Sequence, residues 1–127
     1  MKKIALIVLF VLILSTVCFA IDTVNERATI TINISFYDKD SVLTIPTSFK
    51  YKIIDILSGT VIIDTTTVSP GTSVYGLVVP SASNAVLDNT KTFERRRLTV
   101  QWYNGAVLTG TAEYIYQIKN FNEVPFP

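Results

Sequence analysis

The stretch Phe93–Tyr103 (FERRRLTVQWY) constrains the fold more than any other part of this sequence. Its second half alternates, with Leu98 and Trp102 on an apolar side and polar residues on the other. Such period-two alternation of β-branched and aromatic residues predicts a half-buried strand. The pair Asn104-Gly105 follows directly and favours a type I′ turn, because both residue types tolerate positive φ. We therefore expect a central strand followed by a tight return.

The rest of the chain shows the same alternation in shorter pieces. The other predicted strands are Ala28–Tyr37, Val42–Ile45, Phe49–Asp55, Thr60–Thr66, Ser73–Val79, Ala85–Leu87 and Ala106–Lys119, after a polar lead-in at Ile21–Arg27. Ser58-Gly59 predicts a hairpin turn, and Gly110 predicts a bulge or a break in its strand. About seven short strands without a helical period predict an all-β fold, an antiparallel two-sheet sandwich of the immunoglobulin or fibronectin type III kind. A small closed barrel is the alternative.

The first twenty residues have the layout of a secretory signal peptide. Two lysines precede an apolar run from Ile4 to Leu14, and Ala20 offers a small residue at the cleavage position. The run is short for a permanent transmembrane helix, which needs roughly 20 apolar residues. We predict a hydrophobic signal helix over residues 1–20, cleavage after Ala20 and an exported β-sandwich domain over residues 21–127. An uncleaved signal anchor is the alternative.

The composition of the predicted domain argues against several functions. Two of the 11 basic residues lie in the leader, so nine basic residues face 10 acidic ones and the net charge is −1. This balance predicts no nucleic-acid binding, and membrane contact only through an uncleaved leader. The sequence has no His, and its single cysteine, Cys18, lies in the leader. Because the usual general base, thiol nucleophile and zinc or copper ligands are missing, we expect no catalysis and no cofactor.

The triplet Arg95-Arg96-Arg97 is the one concentration of charge. In a strand, Arg95 and Arg97 share a face, whereas Arg96 points to the same side as Leu98. The functional interpretation is a basic patch that contacts an acidic partner. The structural interpretation is a solvated strand start in which Glu94 pairs with one arginine.

Asp38, Asp40 and Tyr103 complete the candidate contact residues. The two aspartates would offer oxygens to calcium, but a calcium site needs six to eight oxygen ligands, so a charged turn is favoured. Tyr103 lies on the polar side of its strand, and tyrosine is enriched at interfaces. The stretch Thr111–Lys119 is a candidate exposed edge for self-association. These contacts predict a protein or a surface glycan as the partner.

A series of short segments between residues 46 and 121 carries a family resemblance. The segments are PTS at 46–48, YKIID at 51–55, SGTVI at 58–62, TTVSP at 66–70, ERRRLTV at 94–100 and YQIKNF at 116–121. In this order they resemble small immunoglobulin-like proteins of the structural gene modules of tailed phages. The resemblance implies a sandwich used in virion surface or tail assembly, without catalysis.

The leader and the resemblance imply different destinations for the chain. Virion proteins assemble in the cytoplasm, whereas the leader predicts export to the periplasm, the cell surface or the medium. The first hypothesis is an exported, non-catalytic binding or structural module of phage or prophage origin, active in adhesion or surface interaction. The alternative is a minor virion protein of the tail or head that keeps its N-terminal hydrophobic segment.

Overall fold

A computed structural model describes residues 21–121 of the chain, and this part is all-β with two sheets. The strands are β1 (Asp22–Asn25), β2 (Ile30–Ser35), β3 (Ser48–Asp55), β4 (Val61–Val68), β5 (Val74–Val79), β6 (Phe93–Asn104) and β7 (Val107–Lys119). One four-residue 3₁₀ helix, Ser81–Asn84, precedes β6. The predicted signal helix lies outside the described residues. Between residues 21 and 121, no helix has the length and apolar character that a membrane crossing requires.

The large sheet has five strands in the order β1-β7-β6-β3-β4, and the small sheet pairs β2 with β5. The strand β6 therefore lies in the middle of the large sheet, as its alternating pattern predicts. The predicted hairpin of β3 and β4 is confirmed, and Gly59 in its turn has a φ of +72°. The strands β6 and β7 form a second, longer antiparallel hairpin.

Both sheets contribute to one hydrophobic core. Its buried members are Ile34, Phe36, Leu77, Val79, Phe49, Ile53, Leu98, Val100 and Trp102. The apolar sides predicted for β2, β3 and β6 are the sides that supply these residues, because alternate side chains of a strand point to opposite faces. The division into two sheets with a shared core is thus confirmed.

The position of Trp102 depends on Gly110 in the neighbouring strand. The two residues are paired, and the register then shifts so that Tyr103 pairs with Leu108. A Cβ atom added to Gly110 would lie 2.2 Å from Cζ2 of the indole, so a larger residue would displace the ring. The indole N–H donates to the carbonyl of Tyr37 at 3.0 Å. The predicted bulge is confirmed, and β7 continues through it without a break.

The predicted polar lead-in contains a strand. Asp22–Asn25 forms β1, which pairs in parallel with Tyr116–Lys119 of β7. Its periodic pattern is weak, because Val24 is half-buried and the other three residues are exposed. The prediction of a purely antiparallel architecture is therefore wrong for this pair. The predicted free edge at Thr111–Lys119 is also only partly correct, since β1 covers its second half.

Val42–Ile45 and Ala85–Leu87 do not form the predicted strands. The first segment makes one isolated β-bridge. In the second segment, the carbonyl of Ala85 accepts a hydrogen bond from Arg96, and the N–H of Leu87 donates one to Glu94. Backbone groups that a strand would use for its ladder are thus bonded to charged side chains.

The turn between β6 and β7 differs from the predicted type I′. Its central residues are Gly105 and Ala106, because Asn104 is still paired with Val107. Gly105 has a φ of +61°, and Ala106 does not have a positive φ. A positive φ at the first central residue alone is the requirement of a type II′ turn. The bulge beside Trp102 shifts the register and moves the turn by one residue.

Candidate functional site

The strand β6 places its three consecutive arginines in two environments. Arg95 and Arg97 lie on the outer face of the large sheet, and Arg96 lies on the inner side with Leu98. The predicted sorting of the triplet is confirmed. The prediction of a solvated strand start is wrong for Arg96, because its side chain is 0% exposed.

Two buried carboxylates hold the guanidinium of Arg96. Its Nη1 donates to Asp55 at 2.5 Å, and its Nη2 donates to Glu94 at 2.8 Å. The side chains of both acidic residues are 5% exposed or less. We call Arg96, Asp55 and Glu94 the buried network. Sequence reasoning expected Glu94 to pair with one arginine, which is confirmed, but it missed Asp55.

The two carboxylates of the buried network also bind the connections next to them. Asp55 accepts from the N–H and the hydroxyl of Ser58 at 2.8 and 2.7 Å in the β3–β4 turn. Glu94 accepts from the N–H groups of Leu87 and Asp88. Burial raises the pKa of Asp55, but the Ser58 hydrogen bonds and Arg96 outweigh burial and leave this pKa below its usual value. The network therefore fixes two loops to the start of β6.

The outer face of the large sheet carries most of the unpaired positive charge. Lys50 and Lys52 of β3 lie opposite Gln101 and Thr99 of β6, so they share a face with the outward arginines. Lys119 of β7 lies opposite Phe93 on the same face. We call the following set the cationic face: Lys50, Lys52, Arg95, Arg97 and Lys119. The single carboxylate among the outward residues of β3, β6 and β7 is that of Glu113.

The arginines of the cationic face have unused hydrogen-bond donors. Within the described range, the guanidinium of Arg95 has no hydrogen-bond or ion-pair partner. The Nε atom of Arg97 is buried and also lacks a partner there. Because guanidinium groups bind carboxylates in a bidentate manner, both side chains are suited to an acidic partner.

Tyr103 lies at the opposite end of the cationic face from Arg95. The Nζ atom of Lys50 is 5.3 Å from the centroid of its ring, which is a cation–π distance. Its hydroxyl donates to Oε1 of Gln101 at 3.3 Å. The prediction that Tyr103 lies on the polar side of β6 is confirmed.

A cleft of about 460 Å³ opens where the cationic face meets the β3–β4 turn. We call it the end cleft, and its lining residues are Asp55, Ile56, Leu57, Lys91, Phe93, Glu94, Arg95 and Gln117. Its volume falls within the range of roughly 300–1,000 Å³ that small-ligand sites occupy. Sequence reasoning named Arg95 but missed the cleft, because Leu57 and Lys91 reach it from loops distant in sequence.

The structure does not bring Asp38 and Asp40 to the cationic face. Oδ1 of Asp38 accepts the N–H of Asp40 at 2.8 Å within their own turn. Tyr37, which precedes this turn, is bonded to Trp102 near the end of β6, whereas Arg95 lies near the start of that strand. The predicted contact residues therefore form two separate groups. In residues 21–121, no three His, Cys, Asp or Glu side chains are grouped so that they would hold a metal ion.

A second cleft, of about 340 Å³, lies between β2 and β7. Leu98 and Val100 of the core belong to its lining, and Glu113 is its one charged residue. Among the strands of residues 21–121, none pairs with the edge of β7 beside it from Val107 to Ile115. This cleft lies on the inner side of the large sheet and is separate from the cationic face.

No protein-family model, curated protein or solved structure matches the chain at a significant level. The functional assignment therefore depends on the residues and geometry described above.

Proposed function

We propose that this protein is an exported, non-catalytic binding module that contacts an acidic protein through the cationic face. The signal-peptide layout of residues 1–20 supports export. The lack of His, and of Cys beyond the leader, supports a role without catalysis. Two sheets around one core support a sandwich of the immunoglobulin or fibronectin type III kind. The resemblance between residues 46 and 121 supports a phage or prophage origin.

The observation that carries this proposal is the segregation of charge. After residue 20 the chain has nine basic and 10 acidic residues, yet five of the basic ones lie on the outer face of β3, β6 and β7, where Glu113 is the single carboxylate. None of the five forms an ion pair within residues 21–121. Complementary potentials steer partners together and fix their orientation. A face of one sign on a domain of nearly neutral charge is therefore a specific feature of this surface.

The residue types on this face favour a protein as the partner. Tyr103, Arg95 and Arg97 belong to two of the residue types that are enriched at protein interfaces. Arg95 is paired with the neutral Gln117 of β7, and the neutral Thr99 and Gln101 lie between Arg97 and Tyr103 on the same face of β6. An acidic surface glycan would use the same charge, and the experiment below separates it by the probe that binds.

Exchanging one lysine of the face tests the proposal. Lys50→Glu is compared with Lys39→Glu, since both lysines are exposed, the charge change is the same, and Lys39 lies in the Asp38 turn and not on the cationic face. We expect binding of the purified protein to an oligoglutamate peptide to weaken with rising salt and to weaken further in Lys50→Glu alone. Equal affinities of the two variants, or binding to polyuronate but not to oligoglutamate, would contradict a protein partner at this face.

Export has its own test. N-terminal sequencing of the protein recovered from producing cells is expected to begin at Ile21. A full-length chain found in the cytoplasm would remove the export part of the proposal.

A minor virion role with a retained N-terminal segment is the second candidate, and the segment order between residues 46 and 121 favours it. Mass spectrometry of purified phage particles decides this point, because absence of the chain from the particles eliminates that role.

A further inference from the structure

We infer that the end cleft binds a carboxylate carried on an apolar group, and so anchors one acidic residue of the partner at the start of β6. This inference depends on the proposed function, because the anchored residue belongs to the partner of the cationic face.

The acidic side chains of the cleft are already occupied. Asp55 is bonded to Arg96 and Ser58, and Glu94 is bonded to Arg96 and to backbone N–H groups. The oxygens of these two lining carboxylates are therefore engaged by internal donors and not by a bound cation. The guanidinium of Arg95, in contrast, has no partner within the described part of the chain.

The balance of charge around the cleft favours an anion. Lys91 pairs only with Asp88, at 3.5 Å, and both side chains are 41% exposed, so this ion pair is weak. Arg97 and Lys119 lie next to Arg95 and Phe93 on the same face. Within the described residues, these four cations stand against Asp88, the single net negative charge of the buried network and Glu26, whose N–H donates to the carbonyl of Lys119. A planar guanidinium that is free to form two parallel hydrogen bonds is best matched by a carboxylate.

The walls of the cleft are apolar and exposed. Leu57 is 75% exposed and Phe93 is 42% exposed, and Ile56 lies between them in the lining. The N–H of Ile56 donates to the carbonyl of Arg95 at 3.0 Å, which holds this wall against β6. An aliphatic or aromatic group next to the bound carboxylate would cover the two exposed side chains and remove their apolar surface from water. The ligand class is therefore a hydrophobic carboxylate.

A pair of small probes tests the cleft directly. 3-Phenylpropionate and its neutral amide, 3-phenylpropionamide, have the same shape and differ in charge. Each is titrated into the isotopically labelled protein, and the amide resonances are followed by NMR. We expect saturable shifts from the carboxylate at Leu57, Lys91, Phe93 and Arg95, and much weaker binding of the amide.

Variants assign the binding to named side chains. Arg95→Gln is expected to weaken 3-phenylpropionate binding at least about tenfold, because a hydrogen bond to a charged group is lost. Lys39→Gln, in the Asp38 turn outside the cationic face, is expected to change it by less than about twofold. Leu57→Ser is the second cleft variant, and its exposed position leaves the fold intact. It is expected to weaken binding a few-fold.

Three results would overturn the inference: no saturable shifts at the cleft, equal binding of acid and amide, or unchanged affinity in both Arg95→Gln and Leu57→Ser. These results are distinguishable from failure of the proposed function. If oligoglutamate binding still depends on Lys50 while 3-phenylpropionate does not bind, the cationic face stands and the end cleft is excluded as its anchor.

Discussion

Replacing Arg96 by methionine tests whether the buried network stabilises the fold. Methionine keeps an apolar stem but removes the guanidinium, so Asp55 and Glu94 are left buried without a cation. Removal of one partner from a buried ion pair costs about 3–5 kcal/mol. Both carboxylates keep backbone N–H donors. We therefore expect the free energy of unfolding to fall by about 3 kcal/mol, the lower end of this range. This is a large part of the roughly 5–15 kcal/mol that a domain has.

Urea unfolding followed by fluorescence measures this loss. Trp102 is the single tryptophan of the sequence and is 6% exposed in the core, so its emission reports on unfolding of both sheets. Arg95→Met is the matched control, because it makes the same chemical change one residue earlier at an exposed side chain that has no partner among residues 21–121. We expect the control to lie within about 0.5 kcal/mol of the wild type.

The pH dependence of the stability distinguishes the ion pairs of the buried network from simple packing of the Arg96 side chain. The pKa of Asp55 lies below its usual value of 3.8, so its contribution to stability is present above this pH and is lost as the pH falls through the lowered pKa. The difference between wild type and Arg96→Met should therefore shrink below pH of about 4. If Arg96→Met does not fold, adding Asp55→Asn and Glu94→Gln should restore part of the stability, because no uncompensated charge is then buried.

Two results would refute this account of the network. One is a loss below about 1 kcal/mol in Arg96→Met, which is less than burial of an unpaired carboxylate requires. The other is an equal loss in Arg96→Met and Arg95→Met, which would mean that burial of the middle arginine has no effect.

Three further predictions follow from the strands around β7. Gly110→Ala should destabilise the protein by about 1–3 kcal/mol and shift the emission of Trp102, because the added Cβ meets the indole. A variant with unchanged emission and an unchanged urea midpoint would contradict this prediction. Glu113→Val removes a charge from the free part of the β7 edge, so analytical ultracentrifugation should show concentration-dependent association that the wild type lacks. Burial raises the pKa of Tyr114 and Tyr116 to about 12, above the usual value of 10, so the urea midpoint should fall as the pH rises from 10 towards 12.

The sequence predicts the features that depend on the pleat of a single strand. Alternation places Trp102 inside and Tyr103 outside without knowledge of any partner strand, and it separates Arg96 from its two neighbours in the same way. The second network carboxylate was not predicted, because Asp55 meets Arg96 only through the register of β3 against β6. A signal was present: Arg96 was predicted to point to the same side as Leu98, and a buried cation requires an acidic partner.

Other features depend on backbone bonding that leaves little trace in side-chain patterns. The strand β1 pairs through its backbone with side chains that are mostly exposed, so its sequence looks like a polar lead-in. Ala85–Leu87 has the apolar pattern of a strand, but its backbone groups are hydrogen-bonded to the side chains of Arg96 and Glu94 and not to a neighbouring strand. The turn after β6 moved because a bulge displaced the register, and Gly110 indicated that bulge without indicating its direction.

The buried network and the end cleft are two sides of the same piece of β6. Asp55 and Glu94 turn their oxygens inward to Arg96 and to the loops at Ser58 and Leu87. The cleft walls are therefore fixed before any ligand arrives, and a ligand has less ordering entropy to overcome. Arg96 neutralises one of the two acidic charges of the network and its donors engage both carboxylates, so the outward arginine next to it is left to attract an anion. A shift of β6 by one residue would exchange its inward and outward side chains, and this would destroy both the core and the site.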